Sequence, residues 1–275
     1  MKKTILFLLP VALVFLFSCD SGSDTADHST DSTKLTKDTV KGPVEITLTP
    51  LEDSPGFADA ILELSTPAEN AVLKDNKVTF NYEIKNYKLS EKTTEGSCAM
   101  NCANSGKGQH IHLILNNAPY QAKYDTKFVD TLEDGHYVAL SFLSRSYHES
   151  IKHYEAYDLR QFTVGKAKVE KVDLTKPLMF YSRPKGEYVG ADTKKILLDF
   201  YLVNTQLSEG GNQVKVTING SKEFIVTKWI GYIMEGLPMG ENTIKLELLD
   251  KDGNPIPGPY NVVERKFTLK ESKTS

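Results

Sequence analysis

Two stretches of this chain repeat one another, and the repeat constrains the fold more than any other feature. Lys77 to Glu91 reads KVTFNYEIKNYKLSE and Lys195 to Glu209 reads KILLDFYLVNTQLSE, sharing the opening Lys, an Asn (Asn86 and Asn204) and a closing Leu-Ser-Glu. Further on, ILNN at Ile114 to Asn117 matches TING at Thr217 to Gly220. Leu132 and Gly135 match Leu237 and Gly240, and RQFTV at Arg160 to Val164 matches RKFTL at Arg265 to Leu269. Ordered matches over this length indicate one domain written twice.

The repeated unit is built of strands. VEITLTP, KVTFNYEI, HIHLILNN, HYVALSFL, QVKVTING and NTIKLELLD alternate apolar and polar positions between Pro, Gly, Asn and Asp. Alternation of period two gives half-buried strands, and turn signals at this spacing give a sandwich. The expected fold is all-β, two tandem antiparallel β-sandwich domains at 44–166 and 172–271.

The N-terminus carries an address. Lys2 and Lys3 precede the apolar run of residues 5 to 17, too short for a comfortable membrane span, and the run ends Leu16-Phe17-Ser18-Cys19. The stretch resembles a bacterial lipoprotein leader: a signal peptide at 1–18, then Cys19 as the lipid attachment site. Residues 19–43, nearly all Ser, Thr, Asp and Lys, have too little to bury and read as a disordered tether. Removing the leader's two lysines takes the net charge from −3 to about −5. The four arginines are scattered, so nucleic acid is not an expected partner.

With Cys19 lipidated, Cys98 and Cys102 remain as a pair, and an oxidising envelope compartment predicts a disulfide between them. Both lie in a segment of about fifteen residues that the second copy lacks. On the following strand Ile111, Leu113 and Leu115 match Val214, Val216 and Ile218, so that face is the core. The opposite face carries His110 and His112 where the second copy has Gln213 and Lys215. The second copy has no histidine at all, and His148 falls opposite Gly253. The first copy is the specialised one.

Two sites can be drawn on it. H-x-H on a strand aims two imidazoles at one ion, so His110, His112 and His148, with the C-x3-C loop nearby, form a candidate copper or zinc site. Alternatively, LSRSYHESIKHYEAY (Leu143 to Tyr157) offers Arg145, Tyr147 and His148 as a loop surface for a peptide or glycan. No nucleophile elbow, H-E-x-x-H, paired-carboxylate motif or phosphate-cradling glycine loop is present, so the chain is read as non-enzymatic and without a resident cofactor. A third role is that of spacer or subunit in an envelope complex.

GKGQHIHLILNNAPY, LSFLSRSYHES and FYLVNTQLSEGGNQVKVTING together resemble a family of bacterial envelope lipoproteins with tandem Ig-like domains, some of them labelled phosphopeptide-binding. Leu132 to His136 is also similar to the strand preamble of small Ig-like domains. The resemblance implies Ig-like sandwiches held at the outer membrane by lipid, on its periplasmic face or at the cell surface, with an envelope protein, peptide or glycan as partner. It brings no catalytic residues.

Overall fold

The structure, a computed structural model, describes residues 45–168 and 171–272; the leader, Cys19 and the tether lie outside them. A leading strand β1 (Thr47–Leu51) is followed by the eight strands of the first sandwich. They are β2 (Ile61–Thr66), β3 (Val72–Leu73), β4 (Lys77–Lys85), β5 (His110–Leu115), β6 (Gln121–Lys123), β7 (Lys127–Thr131), β8 (Gly135–Ser144) and β9 (Tyr157–Val164). The second sandwich has β10 (Leu178–Arg183), β11 (Gly186–Val189), β12 (Ile196–Val203), β13 (Gln213–Ile218), β14 (Lys222–Val226), β15 (Gly231–Glu235), β16 (Gly240–Leu249) and β17 (Val262–Lys270).

The duplication is complete in the topology. Sheets β2-β4-β7 and β3-β9-β8-β5-β6 of the first sandwich recur as β10-β12-β15 and β11-β17-β16-β13-β14 in the second. All pairs are antiparallel except the matching edge pairs β3–β9 and β11–β17. Turn chemistry is duplicated too. Asn86 and Asn204 take positive φ of 55° and 54°, a conformation asparagine tolerates better than most residues. The Oδ1 atoms of Asn116 and Asn219 accept the main-chain N–H of Val138 and Thr243 at 2.7 and 2.8 Å. These are two Ig-like β-sandwiches.

One boundary differs from the sequence reading. The sequence pattern places the segment from residue 44 in the first sandwich, yet β1 pairs antiparallel with β15, five residues against five, and so extends a sheet of the second. The reason is that β1 has little apolar surface of its own; only Leu51 is buried. It gains most by pairing with the edge of β15, whose backbone groups would otherwise stay unpaired.

Each sandwich has its own core, the first around Phe80, Ile111, Leu113 and Phe162, the second around Phe200, Val216, Leu246 and Phe267. A third core lies between them. Ile114, Tyr120, Val138, Leu140 and Phe142 of the first sandwich pack on Leu178, Phe180, Tyr201 and Val203 of the second. The β5–β8 sheet thus lies back to back with the β10–β12 sheet, and four sheets stack in sequence. Strands covered on both faces read as continuous apolar runs, which accounts for β10 and β12 being buried over their whole length. It also changes the meaning of the histidine face. Ile111 and Leu113 do point into the first core, but the second sandwich covers the other side, so all six residues of β5 are buried.

Candidate metal centre

The covered face of β5 holds His110 and His112, both fully buried, with their Nε2 atoms 2.9 Å apart. His148 arrives from the loop after β8 and sets its Nδ1 3.0 Å from His110 Nε2. One ligand atom from each of the three lies within 4.8 Å of the others. Two ligands at 2.0–2.1 Å from one ion, with bond angles between square and tetrahedral, stand about 3 Å apart. The two short edges of this cluster already have that length.

The backbone fixes the tautomer of His110. His110 Nδ1 donates to the Gly108 carbonyl at 2.8 Å, which leaves Nε2 as the free lone pair. Gly108 can serve because it has no side chain: its φ is +83°, and a Cβ there would meet the Glu91 carbonyl oxygen at 2.5 Å. His112 Nδ1 lies 3.3 Å from Ser182 Oγ on β10, a partner from the second sandwich. Holding the far nitrogen of an imidazole by a hydrogen bond is how protein metal sites orient their histidines.

His148 carries a different signature. Its φ is +72°, in the left-handed region, and its N–H bonds the Arg145 carbonyl at 2.9 Å to close a turn. In the second copy Gly253 occupies the matching position, with φ of +82° and the matching N–H bond to the Asp250 carbonyl at 3.1 Å. A histidine therefore stands where the fold prefers glycine, and its ring is directed at the other two. Strain of this kind is kept where the side chain serves a purpose.

All three imidazoles are neutral near pH 7. Burial pulls His110 down to about 4, with Arg183 and Lys185 adding to the effect against the Gly108 hydrogen bond. Burial, then the neighbouring His110 and His148, holds His112 well below the usual histidine range, and burial followed by Arg183 does the same for His148. Neutral imidazole is the metal-binding form.

The other predicted residues fall elsewhere. Cys98 and Cys102 form the expected disulfide on the short helix α1 (Ser97–Asn101) and its C-cap. They pack with Leu51, Tyr147, Leu197 and Ile233, and their sulfurs are not among the cluster's donors. Arg145 and Tyr147, expected to face a peptide or glycan, are buried. The Arg145 guanidinium is committed to the Pro55 and Ser150 carbonyls and the Glu149 carboxylate, and Tyr147 Oη donates to Ser54 Oγ. The segment before β2 and the second sandwich close over these two side chains, while Tyr154, later in the same loop, stays exposed. His136 and His153 are held by Thr163, Gln161 and the Phe57 carbonyl.

Around the cluster stand residues that no sequence motif indicated. Tyr120, just before β6, stacks on His112 with ring centroids 3.6 Å apart and planes at 6°, and its Oη is 3.1 Å from His148 Nδ1. Arg183 and Lys185 approach from the second sandwich. Their only sequence signal is a place at the end of β10 and just after it, which becomes informative once the sheets are known to stack. Five open surface clefts of 490 to 710 Å³ lie elsewhere, and none is lined by the three histidines.

No protein-family model matches the chain, and no curated protein does. Among solved structures, fibronectin(III)-like modules of Clostridium thermocellum CbhA align with 78% of this chain and 97% of theirs, at 11% identity and TM-score 0.28. The two tandem V-type regions of VCBP3, a v-region-containing chitin binding protein, align with 76% of this chain and 99% of theirs, at 7% identity and TM-score 0.23. Bacteroides ovatus SGBP-B in complex with mixed-linkage heptasaccharide aligns over 76% and 70%, at 8% identity and TM-score 0.22. Similarities at these scores say nothing about the histidines.

Proposed function

We propose that this is a non-enzymatic metal-binding protein of the cell envelope, anchored by lipid at Cys19, that holds one copper or zinc ion at His110, His112 and His148. The observation that carries the reading is the convergence of three neutral imidazoles, two fully buried and one, His148, partly exposed on a backbone conformation that the sister domain gives to glycine. Imidazole suits both metals. The leader sequence and the acidic, Ser/Thr-rich stretch after it support the location.

The test is the metal content of the purified protein after incubation with copper(II) or zinc and desalting. One equivalent is expected, and it should be lost in His148→Gly and in the double variant His110→Ala/His112→Ala. Wild-type protein that retains no more metal than these variants sinks the proposal.

A second reading keeps peptide or glycan recognition but moves it. The 710 Å³ cleft beside the third core is lined by Tyr154, Tyr157 and Trp229 together with Asn204 and Gln206, an aromatic and amide lining of the type that small-ligand sites use. Binding to a glycan or peptide array that survives Trp229→Ala would remove this cleft from consideration.

A further inference from the structure

The electrostatics around the three histidines call for one more ligand, and this inference rests on the metal reading above. Three neutral imidazoles leave a divalent ion with its full charge. Arg183 and Lys185 stand over the ring of Tyr120, 5.5 and 3.7 Å from its centroid, so an ion at the histidines beside that ring would join two cations. Among the described residues neither cation has a carboxylate within ion-pair distance. A buried charge without a counter-charge is costly. A cation bound here therefore requires an anionic donor.

Tyr120 is placed to supply it. Its Oη lies 3.1 Å from His148 Nδ1, the same edge length as the 3.0 and 2.9 Å that continue through His110 to His112. The four donor atoms thus run His112, His110, His148, Tyr120 with near-equal steps. The stack of Tyr120 on His112 brings the two ends of that run back alongside each other. Both cations address this tyrosine. Lys185 Nζ sits 3.7 Å from the ring centroid and donates to the Tyr120 carbonyl at 2.5 Å, and the Arg183 guanidinium carbon is 5.5 Å from the same centroid. Arg183 Nη1 donates to Tyr188 Oη at 2.7 Å, while its buried Nε has no hydrogen-bond partner. A guanidinium left partly unsatisfied beside a phenol is arranged for a negative oxygen.

We propose that Tyr120 Oη is the fourth ligand of the centre, bound as phenolate and supplying the one negative charge between the ion and the two flanking cations Arg183 and Lys185, and that this three-nitrogen, one-oxygen set takes copper(II). Coordination forms the copper–oxygen bond and releases the phenolic proton to solvent, with no change in the oxidation state of the metal. Nitrogen and oxygen donors in a square or tetragonal arrangement are the copper(II) preference. The second sandwich is then part of the site, because both flanking cations and the Ser182 partner of His112 come from it.

The experiment uses the full chain loaded with one equivalent of copper(II). Wild type is expected to show a phenolate-to-copper charge-transfer absorption in the visible. Tyr120→Phe should lose that band, keep one copper on the three histidines, and bind it more weakly. Lys185→Met should retain the band and, because it removes a like charge from beside the ion, should leave copper affinity unchanged or raise it. Stoichiometric copper without such a band in wild type, and with Tyr120→Phe binding equally well, overturns the tyrosine ligand while leaving the histidine site standing. No copper bound to wild type overturns both.

Discussion

Lys152 Nζ lies 2.5 Å from Asp199 Oδ1, an ion pair that joins a loop of the first sandwich to β12 of the second, with the Asp199 side chain wholly buried. Asp199 also accepts from the Ser150 N–H and hydroxyl at 3.3 and 3.0 Å. Removing one partner of such a pair strands the other charge, whereas replacing both with apolar groups is often close to neutral. Asp199→Ala should therefore cost about 3–5 kcal/mol in urea unfolding, and Lys152→Met/Asp199→Leu much less. Equal losses in the two would show that the pair does not couple the sandwiches.

The histidine cluster gives the metal-free protein a defined acid sensitivity. The folded-state value of His110 is about 4, and an unfolded histidine titrates near 6.5. As pH falls through about 6.5 the unfolded chain takes up protons that the folded one refuses, so stability drops until the pH is below the folded value. His110 alone would account for a loss on the order of 3 kcal/mol between about pH 6.5 and 4, and His112 and His148 act in the same direction. Denaturation midpoints across this range should fall steeply in the metal-free wild type. A flat profile would contradict the burial of the imidazoles.

His148→Gly separates folding from binding. A left-handed backbone costs a non-glycine residue roughly 1–2 kcal/mol, and glycine returns part of that through the entropy of the unfolded chain. The variant should stay within about 1 kcal/mol of wild type, unlike Leu113→Ala in the first core, which should cost about 2–5 kcal/mol. Thermal melts without metal make the comparison. A large loss in His148→Gly would mean that the ring is structural packing.

The disulfide should matter for stability and not for the ion. Closing so short a loop between Cys98 and Cys102 is worth about 2 kcal/mol in the chain-entropy description. The variant Cys98→Ser/Cys102→Ser should lose about that much while keeping its metal stoichiometry. Loss of metal on reduction would return the cysteines to the site.

Strand period and turn asparagines are local signals, which is why the duplication, the two sandwiches and the core face of β5 can be read from the sequence. The comparison of copies also isolates the histidines, because a face that carries Gln213 and Lys215 in one copy has no structural need for His110 and His112. What one sequence does not contain is which outer faces meet. Arg145 and Tyr147 look like loop decoration until the second sandwich and the segment before β2 close over them. Tyr120, Arg183 and Lys185 belong to no motif; three-dimensional stacking brings them to the cluster. The apolar run ILLDFYLV of β12 is the one trace of that stacking in the sequence, since a strand with a wet face would alternate.

Were the chain held at its N-terminus, β1 would decide how force enters the molecule. Residues 19–43 lead into Thr47, and Thr47–Leu51 is held in register against Glu235–Gly231. A pull through an N-terminal anchor would therefore be transmitted first to the second sandwich, along the length of a paired strand, and would reach the histidine-bearing sandwich only through the third core and the chain beyond Leu51. The half of the protein that carries the site is mechanically downstream of the half that does not.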